Sequence, residues 1–407
     1  MPSEPESTPD LDLRRFPDVE ADNLFATDAA DRLLLDEAES AIRGAQPGEV
    51  VTIGDSYGAL TLGAISRFGA SKVRVHQDRV TGEHALDYNA EDLGIEGYSH
   101  HTLDAALVAG ARVILLRLPR GLDALEEIAG IIAANAADDV VVFAGNRIKH
   151  LTPAMNDVLK KYFGRLDISH ARQKARVLIA REPLRATVVP GAEAEPATST
   201  SSSEPEASAP SAVSAPAVAT FPKREFNKDL GIWVVAHGGA FAGTKLDIGT
   251  RFLLEVTEQM LPEARTAIDL GSGTGILATI LAKQRPELQI IATDQSWAAV
   301  SSTIATAEAN EVADRITVVR DNGLYQQKDD SADLILLNPP FHIEGTVHLG
   351  EALKLFEEAG RVLRVGGELW TVFNSHLGYR STLSSVVGPT RQVARNAKFS
   401  VMVSTKE

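Results

Sequence analysis

Residues 267–277 read Ala267-Ile268-Asp269-Leu270-Gly271-Ser272-Gly273-Thr274-Gly275-Ile276-Leu277. An apolar run ends at an acid, passes through three glycines at alternate positions and becomes apolar again. This pattern predicts a buried strand, a tight turn and a helix. Gly271 and Gly273 withhold side chains where a ligand approaches the backbone, and Gly275 lets the chain enter the helix. Such turns lie at the carboxyl edge of a parallel sheet, where doubly wound folds hold their ligands. Glycines at this spacing suit a dinucleotide equally well, and a tight turn with no ligand would also account for them. Asp269 shifts the balance, because a carboxylate beside the turn repels a pyrophosphate and attracts an ammonium. The methionyl ammonium of S-adenosylmethionine meets that requirement, so cofactor contacts are expected from Asp269, Gly271, Gly273 and Gly275.

Outward from this turn the chain alternates between two periodicities. In the second half, strands are expected over 265–269, 288–293, 316–320, 332–337 and 367–373, and helices over 275–283, 297–311 and 347–362. The first half gives strands over 49–53, 72–76, 111–116 and 139–144, with helical patterns running to Phe68 and over 122–137. The same order twice predicts two Rossmann-like α/β domains in tandem, products of a duplication. Between them, Pro190–Thr220 is almost wholly Ala, Ser, Pro, Glu and Thr. Such a segment cannot bury enough surface to offset its ordering, which predicts a flexible linker. The expected division is a disordered tail over 1–18, a first domain over 19–189, a linker over 190–220 and a second domain over 221–407.

The strand after the turn ends at Asp294, 25 positions beyond Asp269, a spacing at which an acid holds ribose hydroxyls. A helix N-cap is the alternative role for Asp294. The third strand delivers Asp321 and Asn322, which can meet an adenine amino group or lie in a solvated loop. The fourth strand ends Leu337-Asn338-Pro339-Pro340-Phe341-His342. Two prolines after an Asn remove backbone donors and stiffen an extended path. The resulting rim offers the Asn338 side-chain oxygen and the Pro339 carbonyl to one NH₂ group, which orients a nitrogen toward an incoming methyl. Phe341 supplies a face for a flat base or amide, and His342 either positions substrate or packs.

Asn338-Pro339-Pro340-Phe341 resembles the motif of class I methyltransferases acting on exocyclic base amines or glutamine amides. Asp269–Gly275 resembles their first motif. The stretch Phe241-Ala242-Gly243-Thr244-Lys245-Leu246-Asp247-Ile248-Gly249-Thr250-Arg251-Phe252-Leu253-Leu254 narrows the likeness. Together with Asn338–His342, Gly54–Thr61 and Gly145–His150, it resembles the bacterial family of ribosomal RNA small-subunit methyltransferase C and large-subunit methyltransferase G, which are guanine N2 methyltransferases. That resemblance implies two class I methyltransferase domains, the first degenerate. It also implies that Asp247 and its loop close over the cofactor, that Asp294 binds ribose, and that Asn338 with Phe341 holds the guanine. Ser272 stands where the family often has cysteine, and the long linker departs from the family pattern.

The first domain keeps a turn, Gly54-Asp55-Ser56-Tyr57-Gly58, but with fewer glycines and a bulky Tyr57. Its fourth strand runs into Leu116-Arg117-Leu118-Pro119-Arg120, and arginines cannot accept from an amine. Arg117 and Arg120 are expected to bind phosphate, as are Arg147, Lys149, Lys174 and Arg176. Residues 146–185 hold ten basic and three acidic side chains, although the whole chain carries a net charge of -15. A local basic surface of this kind can guide a polyanion such as ribosomal RNA or an assembly particle. A solvated face and a purely stabilising first domain are the plain alternatives.

The chain has no cysteine, which excludes disulfides and thiolate metal sites, and its ten histidines form no short-spaced cluster, so no metal is expected. The acidic N-terminus lacks an apolar core and no apolar run reaches membrane-spanning length, which predicts a cytoplasmic protein without membrane contact; a monomer is expected. The leading expectation is an S-adenosylmethionine-dependent N-methyltransferase of ribosomal RNA guanine. The alternatives are a glutamine-amide methyltransferase, a methyltransferase of another nucleobase, and a catalytically silent RNA-binding or assembly protein.

Overall fold

The computed structural model describes residues 11–185, 221–339 and 347–407. The first domain contains β1 (Val50–Ile53), β2 (Val73–His76), β3 (Tyr98–His100), β4 (Val113–Arg117), β5 (Val141–Arg147), β6 (Phe163–Ile168) and β7 (Ala175–Pro183). Its helices are α1 (Ala29–Gly44), α2 (Ala59–Phe68), α3 (Val80–Leu93), α4 (Ala105–Val108), α5 (Leu122–Asn135) and α6 (Pro153–Tyr162). A hairpin of β8 (Lys223–Asn227) and β9 (Ile232–Ala236) leads to α7 (Ile248–Leu254). The second domain then runs β10 (Thr266–Leu270), α8 (Ile276–Gln284), β11 (Gln289–Asp294), α9 (Trp297–Ala309), β12 (Ile316–Arg320) and β13 (Ala332–Leu337). It finishes with α10 (Val347–Val362), β14 (Leu363–Asn374), α11 (Arg380–Val386), β15 (Thr390–Arg395) and β16 (Phe399–Thr405).

Both sheets have seven strands, in the orders β3-β2-β1-β4-β5-β7-β6 and β12-β11-β10-β13-β14-β16-β15. These orders are the same arrangement written twice. The first five positions of each are parallel, and the last two strands close each sheet antiparallel. Central strands such as β1 (VVTI) and β13 are apolar on both faces because helices cover both sides. The expected strands and helices around the glycine turn all form, with ends shifted by a few residues at most, apart from β14. The antiparallel pairs had no matching expectation: β6 reads FGRLDI and β15 reads TRQVAR, half-exposed sequences whose apolar alternation is interrupted by charge.

Residues 11–18, expected as part of a disordered tail, instead pack on the first domain. Leu11 and Leu13 cover its core, the Arg14 N–H donates to Asn89, and the Tyr57 hydroxyl donates to Asp18 at 2.5 Å. Two apolar side chains among charges were enough to anchor the strip. The expected linker lies outside the described residues, as do Pro340, Phe341 and His342. No helix among the described residues is long and apolar enough to cross a membrane.

The two domains meet through equivalent segments. The residues between β2 and α3 face those between β11 and α9, and Arg79 and Ser296 form an antiparallel bridge. The Val80 N–H donates to the Gln295 carbonyl and the Trp297 N–H to that of Asp78. Asp78 Oδ1 also accepts from the Ser296 hydroxyl at 2.9 Å and the Ala298 N–H at 3.0 Å, so a first-domain acid caps α9. Trp297 packs on the first domain's core, edge-on to His76 and His237. Glu127 of α5 accepts from the Gly238 N–H and pairs with His237 at 2.6 Å. Gly238 has to be glycine here, since a Cβ would fall 2.2 Å from the Asp123 carbonyl oxygen.

Candidate functional site

The carboxyl ends of β10, β11 and β13 lie side by side, with Leu270 in register with both Thr293 and Leu337. That register gathers the glycine turn, Asp294 and Asn338 at one edge of the sheet. Gly271, Gly273 and Gly275 all have positive φ (75°, 55° and 73°), a region that L side chains rarely adopt. Their surroundings differ. A Cβ on Gly271 or Gly273 would meet nothing within 4 Å, whereas one on Gly275 would strike Thr303 at 2.8 Å. The first two glycines thus leave open space above the turn, and the third permits close packing of α8 on α9.

Asp269 is buried beneath this turn. Its Oδ2 accepts from the Ala278 N–H at 3.0 Å, and Oδ1 has no hydrogen-bond partner among the described residues. Burial pushes its carboxyl up to about 7, reinforced by the nearby charge of Asp294. Asp294 accepts from the Gly273 N–H (3.0 Å) and the Ser296 N–H (2.9 Å), bracing the turn. Burial raises its pKa as well, and Asp78 across the domain boundary adds to the shift. The Asp321 N–H donates to the Asp294 carbonyl, while the Asp321 carboxylate accepts from the Gln326 N–H. A buried orphan acceptor, a cluster of acids and an open glycine turn suit a cationic nucleoside such as S-adenosylmethionine.

The fourth-strand motif is tied to α7. Asn338 Nδ2 donates to Asp247 Oδ2 and to the Thr250 hydroxyl, each at 3.0 Å. Asp247 Oδ2 also accepts from the Gly249 and Thr250 N–H groups, capping α7. With its nitrogen committed to two acceptors, the amide has its Oδ1 left as the free acceptor. Gly249 permits this closeness, since a Cβ there would sit 3.0 Å from both Asn338 Oδ1 and Asp247 Oδ2. Sequence reasoning singled out Asp247 only as part of a cofactor lid and did not single out Gly249 or Thr250. The available signal was an Asp two residues before a glycine at a helix start, which reads as an N-cap.

By strand register the two sheet edges correspond position for position, and the first domain lacks the second's cofactor-facing groups. Gly54, Ser56 and Gly58 have positive φ like Gly271, Gly273 and Gly275. Thr52 then stands where Asp269 does, bonded to Thr61, and Gln77 stands where Asp294 does, bonded to the Gly82 carbonyl. Arg117 occupies the position of Asn338, since Ile53 pairs with Leu116 as Leu270 pairs with Leu337, and in the sequence Arg120 follows Arg117 at the spacing at which Phe341 follows Asn338. The phosphate role expected of Arg117 is excluded. Its guanidinium lies 2.8 Å from Asp28 and 2.7 Å from Asp31, and these carboxylates hold its pKa above the ordinary arginine value against burial. Arg120 is exposed and has no such partner among the described residues. Asn146 pairs with Arg176 and Arg147 with Ala175, and the Ile148 N–H donates to the Lys174 carbonyl. Arg147, Lys149, Lys174 and Arg176 therefore converge on one end of the β5–β7 ladder.

The methyltransferase small domain family model matches residues 231–403, and the RLMG N-terminal domain model matches residues 3–184. A ribosomal RNA large subunit methyltransferase G of Pseudomonas entomophila is 32% identical over 398 residues, covering 98% of both chains. One from Streptomyces coelicolor is 33% identical, covering 97% of this chain and 98% of that one. A solved T. thermophilus 16S rRNA methyltransferase in complex with AdoMet and guanosine aligns with a TM-score of 0.68 at 18% identity, covering 93% of this chain and 92% of that one. The shared architecture thus extends across both domains.

Proposed function

Because the chain belongs to the ribosomal RNA large subunit methyltransferase G family, we propose that it methylates the exocyclic N2 amine of a guanine in ribosomal RNA, using S-adenosylmethionine. The bound cofactor supplies an electrophilic methyl carbon on a sulfonium. Asp269 and Asp294 hold the cofactor's ammonium and ribose hydroxyls, Gly271 and Gly273 admit it to the backbone, and Asp321 with Asn322 meets the adenine. Gly275 seats the helix behind it. Asn338 Oδ1 and the Pro339 carbonyl accept from the guanine NH₂, turning its lone pair toward the methyl carbon. As positive charge develops on that nitrogen, the same two acceptors stabilise it more than they stabilise the bound amine. Pro340 stiffens the rim and Phe341 stacks on the base. Arg147, Lys149, Lys174 and Arg176 guide the RNA backbone.

The observation that supports this reading best is the double anchoring of Asn338 Nδ2 on Asp247 and Thr250, which leaves the oxygen for an amine. It is tested by mass spectrometry of digested ribosomal RNA from cells with and without the gene. Loss of one N2-methylguanosine, restored by the parental gene and not by Asn338→Ala, is the expected result. An unchanged nucleoside profile would overturn it.

A further inference from the structure

The first domain retains a cavity at the sheet edge where the second domain has its site. It measures about 740 Å³ and lies between the domains, bounded by the ends of β1, β2, β4 and β5, by Gly238–Ala240 and by Trp297. That volume is in the range of ligand pockets, and its place at the strand ends is where such folds bind. Its charged groups, however, differ from those of the second-domain site, because arginines line it beside the acids. The acids Asp269 and Asp294 are matched by neutral Thr52 and Gln77, and Arg120 follows Arg117 in the sequence at the spacing at which Phe341 follows Asn338.

Two acids do line the cavity, but both are committed to protein donors. Asp78 accepts from Ser296 and Ala298, and Glu127 accepts from His237 and Gly238. Arg117 is neutralised by Asp28 and Asp31. Arg79 and Arg120 are exposed at the cavity and have neither an ion pair nor a side-chain hydrogen bond among the described residues. Two unspent guanidinia over an apolar wall of Leu103, Leu118, Ile128 and Trp297 match a group that is anionic at one end and flat at the other. Asn146, which precedes the basic strip of Arg147 and Lys149, also borders the cavity, so a strand lying on that strip reaches its mouth.

We propose that this interdomain cavity is a subsite for a ribonucleoside phosphate, with the phosphate on Arg79 and Arg120 and the base against the apolar wall. Its assignment to RNA rests on the function proposed above, while the binding chemistry does not. The duplicated pocket has in this way exchanged a cationic cofactor for an anionic nucleotide.

The test is equilibrium binding to the full chain with S-adenosylmethionine saturating, so that the second-domain site is filled. The probes are guanosine and adenosine monophosphates, followed by calorimetry, and a labelled single-stranded hexaribonucleotide, followed by anisotropy. The combined Arg79→Gln and Arg120→Gln variant is expected to bind the mononucleotides about tenfold or more weakly, with S-adenosylmethionine affinity and melting temperature unchanged. Arg79→Lys with Arg120→Lys should recover part of the loss. Lys149→Gln with Lys174→Gln should weaken only the hexanucleotide. Competition between hexanucleotide and mononucleotide marks an RNA strand as the source of the ligand, and mononucleotide binding without competition marks a free nucleotide; either supports the subsite. Absence of mononucleotide binding to the parental chain, or parental affinity in the glutamine variant, overturns it. A chain that binds mononucleotides through these arginines but leaves ribosomal RNA unmethylated refutes only the proposed reaction.

Discussion

Asn338 is a residue whose chemical value depends on which way its amide points. Thr250→Val removes one of the two acceptors on Nδ2 and weakens the preference for presenting Oδ1. Single-turnover methylation is expected to slow about tenfold, with cofactor affinity unchanged and Thr250→Ser close to parental. Asn338→Ala should cost about a hundredfold or more in turnover, and a parental rate with both ligands saturating would remove the rim from the chemistry. Asp269 gives a pH signature. Its carboxyl is raised to about 7 by burial and its ionised form attracts an ammonium, so cofactor affinity should fall as pH drops through 7. Proton release on binding, measured by calorimetry in two buffers, checks this, and Asp269→Asn should abolish it. In the free chain the sign for stability is opposite. Between its ordinary value of 3.8 and about 7 the folded state holds a proton that the unfolded chain has shed, so this group's contribution declines as pH rises.

At the scale of elements, the turns carrying the second-domain site are braced from outside their own domain. Arg320, at the end of β12, pairs with Glu83 of α3 at 2.7 Å and donates to the Gln77 and Asp78 carbonyls. The next residue is Asp321, whose N–H bonds to the Asp294 backbone. Arg320→Ala removes the side-chain donor from the Gln77 carbonyl, leaves the Asp78 carbonyl with only the Trp297 N–H, and loosens the braced turns. S-adenosylmethionine affinity is expected to fall about fivefold or more, read by titration, and an unchanged affinity would show the brace to be idle. The glycine turn was legible because its spacing is local: positive φ at Gly271, Gly273 and Gly275 needs only neighbours in the chain. The anchoring of Asn338 was not, because its partners lie 91 and 88 positions away. Arg117 misled for the same reason, since its neutralising acids, Asp28 and Asp31, are 89 and 86 positions distant. The strands β6 and β15 escaped because edge strands expose one face and tolerate charge there.

Across the whole molecule, one cofactor site is expected. Calorimetry of the full chain should give a stoichiometry of one S-adenosylmethionine, and Asp294→Ala should weaken that single event without exposing another. A residual site in the variant would mean that the first domain still binds the cofactor despite Thr52 and Gln77. The duplication was legible in the repeated order of elements, whereas the way the two units dock was not, because no local pattern encodes it.

That docking has a consequence in symmetry. Arg79 and Ser296 hold the same position in their domains, each capping the helix that follows the second strand of its sheet, and they meet each other in an antiparallel bridge. Matching residues that face one another are the mark of an isologous contact, the kind generated by a two-fold axis. The single chain therefore has the form of a covalently joined dimer, with one protomer's pocket left acidic and the other's supplied with arginines. Two copies of one ancestral domain, paired the same way, would have placed two identical pockets on either side of that axis.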